Sequence, residues 1–507
     1  MHFKRSSGIL AHITSLPGPY GIGSFGQEAK DFVDLLSAMG MSYWQLLPLG
    51  TTDAFNSPYK SFSAFAGNPL FIDLDLLAGE GLLEPQELDA VRVADPYQTD
   101  YQFLNETRLP LLKRAFLRAD NTLRQQINHF AEAQRRWLPD YALYMTLREV
   151  YDNTDWYDWP DEDLKYHRTE ALASARAQYA DSVDFQIFLQ YLFYTQWQRL
   201  KDYAGASGIK IIGDMPIYLS LESADVWANR RFFDLDDKGN PKNVAGVPPD
   251  YFSLDGQLWG NPLYRWDVLK KEGYSWWIDR ISHALTLYDA VRIDHFRGLS
   301  AYWAVPAEAK TAREGTWVPG PGRDLFDQVF KTFGDKRPNI IAEDLGIIDD
   351  GVLDLLEYTG FPGMRVLQFG FIDDSDNLHL PHNYPQNCLA YTGTHDNNTL
   401  LGYLWELLPH QRDHALAYVN FTGGDWKNGG PESASCRAFI RALWQSPAAV
   451  AIIPLQDLCG FGSDTKMNSP GSAQGNWQFR ITKDALDHID RQWMRELNKT
   501  YYRTQSS

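Results

Sequence analysis

Four acidic residues follow short apolar runs of the sequence, at positions where side chains could perform acid–base or nucleophilic chemistry. They are Asp214 after IKIIG, Asp294 after AVRI, Glu343 after IIA and Asp396 after CLAYTGTH. One such residue alone is typical of a helix N-cap or a loop salt bridge. Four of them, with arginine and histidine neighbours, indicate a shared site. Carboxylates forced together raise one another's pKa, so that one is protonated while another is ionised.

Two carboxyl groups in different protonation states are what the cleavage of a glycosidic bond requires. One acts as nucleophile or base, and the other protonates the leaving oxygen. Arg292, two residues before Asp294, should point to the same side of its strand and keep that carboxylate ionised. A purely structural ion pair of Arg292 is an alternative that this role does not exclude. The 14% of aromatic residues would serve both a core and a cleft in which rings stack on sugars.

Short apolar strands alternate with helix-like segments along the chain, and these elements must position the acidic residues. We predict strands at 8–13, 43–49, 209–214, 290–294, 302–306, 340–344, 364–371 and 388–396, and a helix at 27–39. Near-continuous apolar strands between helices are typical of a parallel sheet that is buried on both faces. Eight of them predict an α/β fold, namely a (β/α)8 TIM barrel, whose catalytic face lies at the carboxyl ends of its strands.

On this assignment the three later acids come from strands four, six and eight of the barrel. Asp294 and Glu343 are 49 residues apart, and Glu343 and Asp396 are 53 apart, each close to two βα units. Their side chains would therefore converge above the barrel.

The chain has 507 residues, about twice the ~250 of a bare barrel, so insertions are required. We expect a mainly helical insertion at 50–208 and a loop-rich one at 215–289 that covers the cleft. A smaller insertion is expected at 399–480. No Pro/Ser-rich linker marks a boundary, so residues 1–507 are predicted to form one catalytic unit.

Charge and cysteine content exclude several classes of protein. Lys and Arg number 47 against 65 Asp and Glu, and the net charge of −18 argues against nucleic acid and anionic membranes as partners. Three cysteines without a C-x-x-C pair argue against a disulfide scaffold or a cysteine zinc site, and fit a reducing compartment. The longest apolar run, 448–455, is far short of the ~20 residues of a membrane helix. With no targeting segment visible, we expect a cytoplasmic protein.

Three motifs suggest other chemistry and fail on their context. GIGSFG (21–26) fits G-x-G-x-x-G, but TSLPGPY separates it from the preceding strand and the next strand ends without an acid. The segment 234–245 lacks the acidic oxygens of a calcium loop at its fifth and twelfth positions. LHLPH (378–382) offers two histidines and no evident third ligand. We therefore predict no metal site.

The joint set of motifs resembles the 4-α-glucanotransferases, also called amylomaltases or disproportionating enzymes. The matching segments are GILAHITSLPGPYGIGSFG, SPYKSFSAFAGNP, GDMPIYL, VPPDYFSLDGQLWGNPLYRW, VRIDHFRG, IIAEDLG and TGTHDNNT, in family order between residues 8 and 480. Few family signatures occur at 97–180.

The resemblance implies a retaining, two-step transfer on α-1,4-glucans within a (β/α)8 barrel. Asp294 matches the nucleophile, Glu343 the general acid/base and Asp396 the carboxylate that stabilises the transition state. The residues that match substrate-binding positions are Tyr59, Asp214, Arg292 and His395 at the donor subsite, Trp259 in the 248–266 loop on the acceptor side, and Asn468. The family is not known to require a metal, and no cofactor is implied.

The expected partners are an α-1,4-glucan donor and a glucose or maltooligosaccharide acceptor. The carboxylates alone do not distinguish a transferase from an α-glucan hydrolase that uses water as the acceptor. A non-catalytic glucan-binding protein is a third reading, which predicts the loss of a catalytic carboxylate; none is missing. The sequence does not indicate an oligomeric state.

Overall fold

Short strands provide the frame of the molecule. The computed structural model describes residues 3–249, 253–371, 376–472 and 474–504. Within them the strands are β1 (Ser6–Leu10), β2 (Tyr43–Gln45), β3 (Lys210–Pro216), β4 (Asn243–Val247), β5 (Gln257–Pro262), β6 (Ala290–Asp294), β7 (Ala301–Pro306), β8 (Thr316–Pro319), β9 (Ile340–Ala342), β10 (Gly363–Val366), β11 (Cys388–Tyr391) and β12 (Val450–Pro454).

Eight of the described strands form one parallel sheet in the order β10-β11-β12-β1-β2-β3-β6-β9. Its two ends meet where the amide of Ala342, in β9, donates to the carbonyl of Pro362 just before β10 (2.9 Å), so the sheet is a nearly closed barrel. Every residue of β1, β11 and β12 is buried, as expected for strands covered on both faces. The predicted α/β class with a (β/α)8 barrel is confirmed.

Helices surround the barrel and fill the segments between its strands. In the described residues they are α1 (Gln27–Ala38), α2 (Leu74–Gly79), α3 (Pro85–Asp89), α4 (Tyr101–Leu117), α5 (Asn121–Ala133), α6 (Leu138–Val150), α7 (Glu162–Lys165), α8 (Thr169–Gln178), α9 (Ala180–Ala206), α10 (Ala224–Ala228), α11 (Trp266–Lys271), α12 (Ser275–Leu287), α13 (Gly322–Phe333), α14 (Asp350–Thr359), α15 (Leu400–Glu406), α16 (Pro409–Tyr418), α17 (Ala434–Gln445), α18 (Leu455–Leu458), α19 (Lys483–Asp487) and α20 (Arg491–Thr500). None of these combines the length and apolarity required to cross a membrane.

The chain between β2 and β3 contains the helices α2 to α9. The longest, α9, has 27 residues and buries Phe188, Phe193 and Trp197. It packs against α1, α6 and β3, so the helical segment rests directly on the barrel. The helix predicted at 27–39 is α1, which buries Phe32 and Leu36 at helical spacing.

The prediction of a fifth barrel strand at 302–306 is wrong. This segment is β7, which pairs antiparallel with β4 and β8 in a second sheet of order β5-β4-β7-β8. The physical reason is the short connection, because only residues 295–300 separate β6 from β7. A parallel neighbour needs a crossover of about a dozen residues or more.

The missing barrel strand is β12, which lies inside the segment predicted as a smaller insertion at 399–480. That segment is therefore not a single excursion from the barrel. The strand numbers change with it: Asp294 ends the fourth barrel strand, Glu343 follows the fifth and Asp396 follows the seventh. The expected spacing of two βα units holds for Glu343 to Asp396 but not for Asp294 to Glu343.

The segment 215–289 is more regular than the predicted loop-rich insertion, since it contains β4, β5 and the helices α10 to α12. The second sheet joins β4 and β5 of this segment to β7 and β8, which follow β6. Residues 250–252 of the 248–266 loop lie outside the described residues.

The glycine motif at 21–26 serves close packing in this structure. A Cβ on Gly23 would lie 1.9 Å from the carbonyl oxygen of Ile13, and one on Gly26, the N-cap of α1, would lie 2.1 Å from Asp73 Oδ2. Side chains at these positions would force the turn away from its neighbours.

Candidate active site

Two adjacent barrel strands carry a buried ion-pair network at their carboxyl ends. Asp214 on β3 is in register with Arg292 on β6, so the two side chains emerge side by side. Arg292 Nη1 lies 2.8 and 2.6 Å from the two carboxylate oxygens of Asp214, and its Nη2 lies 2.8 Å from Asp294 Oδ1. Burial opposes the charge on Arg292, but the two carboxylates outweigh it and raise the pKa of the guanidinium.

Asp294 is the more accessible end of this network. Its side chain is 29% exposed, whereas those of Arg292 and Asp214 are 6% and 1% exposed. The guanidinium therefore neutralises one carboxylate that is sealed in the barrel and one that opens to the cleft. Arg292 is thus the counter-ion of both carboxylates.

Glu343 follows β9 and is held by backbone amides. Its Oε2 accepts from the amide of His295 and its Oε1 from the amide of Leu345, both at 2.7 Å. His295 adopts a left-handed φ of 52°, which turns the chain directly after Asp294. The two acids are thereby linked through consecutive residues of one turn.

The pKa of Glu343 is raised to about 7. Burial is the main cause and the charge of Asp294 adds to it, against the lowering effects of Arg292 and the two amides. At neutral pH this group can therefore both donate and accept a proton.

Asp396 lies on the loop after β11 and has a more open setting. Its side chain is 46% exposed. Asn468 Nδ2 donates to its Oδ1 at 2.6 Å, and His395 Nε2 lies 3.3 Å from its Oδ2. The amide of Asn468 also donates to the carbonyl of His395 (3.1 Å), so two loops hold each other at this point.

Tyr59 connects the two sides of the cleft. Its hydroxyl donates to Asp214 Oδ2 at 2.8 Å, and its ring stacks on His395 with centroids 5.0 Å apart and planes at 14°. Burial, followed by the charge of Asp214, raises the pKa of Tyr59, so the phenol remains a neutral donor.

Trp259 projects from β5 of the second sheet towards the turn after Asp294. Its ring meets the His295 ring edge to face, with centroids 4.8 Å apart. Tyr218, which follows β3, lies beside both rings, 6.2 Å from Trp259 and 6.3 Å from His295. Burial lowers the pKa of His295 to about 4, so this histidine is neutral at pH 7.

The structure thus brings all of the site residues selected from the sequence into one connected group. Contacts run from residue to residue through Asp294, Arg292, Asp214, Tyr59, His395, Asp396 and Asn468, and the turn at His295 adds Glu343 and Trp259.

Sequence reasoning missed further residues of this group. The Trp477 ring lies 5.9 Å from Tyr59 and 6.0 Å from His395, and Met364 Sδ lies 3.3 Å from Arg292 Nε. Neither belongs to an acidic motif or to a predicted strand end that carries a charge. Trp477 could have been noticed as an aromatic residue soon after Asn468 in the sequence.

The segments considered for metal binding have other functions. Asp236 accepts from the amides of Lys238 and Asn240 and so closes a turn. His379 Nδ1 accepts from the amide of Val366, whereas His382 bonds to the Tyr418 hydroxyl. Among the described residues, no three His, Cys, Asp or Glu side chains are arranged to hold a metal ion.

The sequence and the fold of this chain are similar to those of known proteins. A family model described as 4-alpha-glucanotransferase matches residues 11–486. The 4-alpha-glucanotransferase of Thermus thermophilus is 46% identical over 496 residues, which cover 96% of this chain and 96% of that protein. That of Streptococcus pneumoniae serotype 4 is 44% identical over 505 residues, covering 99% and 98%. The solved amylomaltase from Streptococcus agalactiae in complex with acarbose has a TM-score of 0.94 at 41% identity, covering 99% of this chain and 100% of that chain.

Proposed function

This chain belongs to the 4-alpha-glucanotransferase family, and from that premise we propose how its residues divide the reaction. It is a 4-α-glucanotransferase that acts on α-1,4-glucans. We propose that the donor is a maltooligosaccharide or longer glucan, and that the acceptor is the 4-hydroxyl of glucose or of another glucan.

In the first half of the reaction, Asp294 is the nucleophile. One of its carboxylate oxygens attacks the anomeric carbon of the donor sugar, and the bond from that carbon to the glycosidic oxygen breaks. Glu343 gives its proton to the leaving oxygen, so the released glucan carries a new 4-hydroxyl. The ion pair with Arg292 supports this role because it gives Asp294 a buried counter-ion, whereas Glu343 can hold a proton near neutral pH.

In the second half, the acceptor replaces the released glucan. Glu343 accepts the proton of the incoming 4-hydroxyl as its oxygen attacks the anomeric carbon, and the carboxylate of Asp294 leaves. The anomeric configuration is inverted twice and so retained. A pKa of about 7 for Glu343 supports its use in both directions.

The remaining side chains bind the sugar. We assign Asp396 to the hydroxyls of the sugar whose bond is broken, with Asn468 as its hydrogen-bond partner. Tyr59, Asp214, Arg292 and His395 would line the donor subsite. Trp259 would stack on the acceptor, because its ring meets His295 directly beside Asp294.

We also propose that residues 1–507 act as one catalytic unit. The helices α2 to α9 support the 50–208 segment as a helical insertion, and α9 joins it to the barrel through β3. The second sheet supports the 215–289 segment as the part that covers the cleft, since it carries Trp259.

One observation is the main support for Asp294 as the nucleophile and Glu343 as the general acid/base. One carboxylate is paired with a buried guanidinium, while a neighbouring carboxyl has a pKa of about 7. A raised pKa supports Glu343 as the group that carries the proton, and the arginine counter-ion supports Asp294 as the nucleophile.

Incubation with maltotriose alone tests the proposed donor and acceptor. Chromatography should show glucose together with a ladder of longer maltooligosaccharides, while the number of reducing ends stays constant. Glucose and maltose alone, with an increasing number of reducing ends, would mean that water is the acceptor. An absence of products would contradict the proposed substrates.

A further inference from the structure

A buried carboxylate lies behind the loop of Asp396 and has no part in the chemistry above. Asp457 is on the short helix α18, directly after β12, and is 1% exposed. Its Oδ1 accepts from the amide of Leu400 at 2.7 Å, and its Oδ2 from the hydroxyl of Thr392 at 2.6 Å. Both donors are neutral, so burial raises the pKa of Asp457, to about 6. At neutral pH it is an ionised acceptor.

The two donors lie at opposite ends of one segment. Thr392 directly follows β11, and Leu400 is the first residue of α15. The residues between them, 393–399, form the loop that carries His395 and Asp396. A single carboxylate, on the helix that follows the neighbouring strand β12, therefore joins the start and the end of this loop.

We propose that Asp457 is a positioning residue for glucan transfer, which fixes the loop of residues 393–399 at both ends and thereby sets the location of Asp396. The proposal rests on the proposed role of Asp396. Asp396 lies outside any strand, so the hydrogen bonds of the barrel sheet do not place it and the ends of its loop must be held by other contacts.

The bond strengths are consistent with this function. Hydrogen bonds to an ionised carboxylate are roughly twice as strong as neutral ones, and a buried site strengthens them further. An asparagine at this position could keep one acceptor for Leu400, but its NH2 group would face the hydroxyl of Thr392. A loop displaced by about 1 Å can lower a rate by about 100-fold.

The test is the steady-state kinetics of Asp457→Asn on maltotriose, at a temperature well below its melting temperature. We expect kcat to fall by about 10- to 100-fold while KM changes by less than about 3-fold. Asp73→Asn is the matched control. Asp73 is also buried, and it accepts from one hydroxyl, that of Ser24 (2.7 Å), and from one amide, that of Leu76 (2.8 Å). The Asp73→Asn variant should have a lower melting temperature and an unchanged kcat.

A second pair of variants tests the hydrogen bond between Thr392 and Asp457 by changing Thr392. Thr392→Val removes the hydroxyl and keeps the shape, and we expect kcat to fall by about 5-fold. Thr392→Ser keeps the hydroxyl and should restore kcat to within about 2-fold of wild type. Because both residues act through one bond, Thr392→Val should add little to Asp457→Asn in the double variant.

Several results would overturn the proposal. One is a folded Asp457→Asn enzyme with wild-type kcat, and another is a fall in kcat that Asp73→Asn reproduces. If Asp457→Asn does not fold, equal kcat values for Thr392→Val and Thr392→Ser would have the same meaning. Asp396→Asn separates this failure from that of the proposed function: if it keeps wild-type kcat, the role of Asp396 itself is wrong.

Discussion

The two sides of the cleft hold their carboxylates in different ways. On the side of β3 and β6, Asp214 and Asp294 emerge from strands and share the buried guanidinium of Arg292. On the side of β11 and β12, Asp396 lies on a loop, is half exposed and is held by Asn468 and His395.

The difference shows how each part of the site is held in position. A buried ion pair is favourable only when its geometry is well defined, because both charges have been taken out of water. The barrel strands supply that geometry for Asp294, the proposed nucleophile. Asp396 has no strand pairing around it, so its position depends on contacts from neighbouring segments such as Asn468.

The largest effect is expected on the side of β3 and β6, called the strand-borne side because its carboxylates emerge from barrel strands. Asp294→Asn keeps an oxygen that can accept from Arg292, so the protein should fold. The nucleophile is lost, and kcat for maltotriose should fall by at least about 10⁴-fold because no other group can form the covalent bond. Initial rates of glucose release measure this.

The control for that variant lies at the other end of the same strand. Asp289 immediately precedes β6, and its Oδ2 accepts from the amide of Ile211 at 2.8 Å. Groups at the amino end of a barrel strand contribute to stability rather than catalysis. Asp289→Asn should therefore lower the melting temperature only. Equal activity losses in the two variants would indicate a general disturbance of the barrel and not the loss of a nucleophile.

The pH dependence of the reaction tests the proposed role of Glu343 as the general acid. Glu343 must be protonated to donate to the leaving oxygen, and its pKa is raised to about 7. The value of kcat/KM should therefore decline as the pH rises above about 7. Burial lowers the pKa values of His12 and His295 to about 3 and 4, so neither histidine supplies a limb in this range.

Glu343→Gln should be slower by about 10²- to 10⁴-fold and should lack the basic limb. A pH profile for this variant with the basic limb of the wild type would assign the limb to another group. The role of Glu343 as general acid would then be wrong.

The barrel and its acidic strand ends were predictable from sequence because both depend on local patterns. An apolar run buried on two faces is recognisable residue by residue, and an acid at its end is adjacent in the chain. The assignment failed at 302–306 because β7, an inner strand of the second sheet, has the same apolar pattern as a barrel strand. Only the connection length, residues 295–300, distinguishes it from a barrel strand.

The supports of the site could not be predicted in the same way. Trp477, Met364 and Asp457 reach it from distant segments, and each contact depends on how the strands are ordered in space. The run at 448–455 is apolar enough for a strand, yet nothing local indicates that it lies between β11 and β1. Long-range order of this kind is a property of the closed barrel.

A moderate effect is expected where the second sheet meets the strand-borne side. Trp259→Ala should raise the share of hydrolysis over transfer by about 3- to 10-fold, because the acceptor loses a stacking platform worth about 1 kcal/mol. The share is measured as new reducing ends per glucose formed. Trp317→Ala, which removes a 40% exposed ring from β8 of the same sheet, should leave it unchanged. An unchanged ratio in Trp259→Ala would contradict the acceptor assignment.

The smallest effect is expected on the side of β11 and β12, called the loop-borne side because Asp396 lies on a loop. Asn468→Ala removes the 2.6 Å hydrogen bond to Asp396 but leaves the backbone bond from Asn468 to His395. Because Asp396 is half exposed, water can replace part of the lost interaction, and kcat/KM should fall by only about 2- to 3-fold. Asn476→Ala is the control, since Asn476 bonds to Ser469 and Ser472 of the same loop without reaching Asp396. If both variants lose activity equally, the order of the loop matters and the contact does not.

If Asn468→Ala loses as much activity as Asp294→Asn, the loop-borne side is as rigid as the strands. The contrast between the two sides then fails.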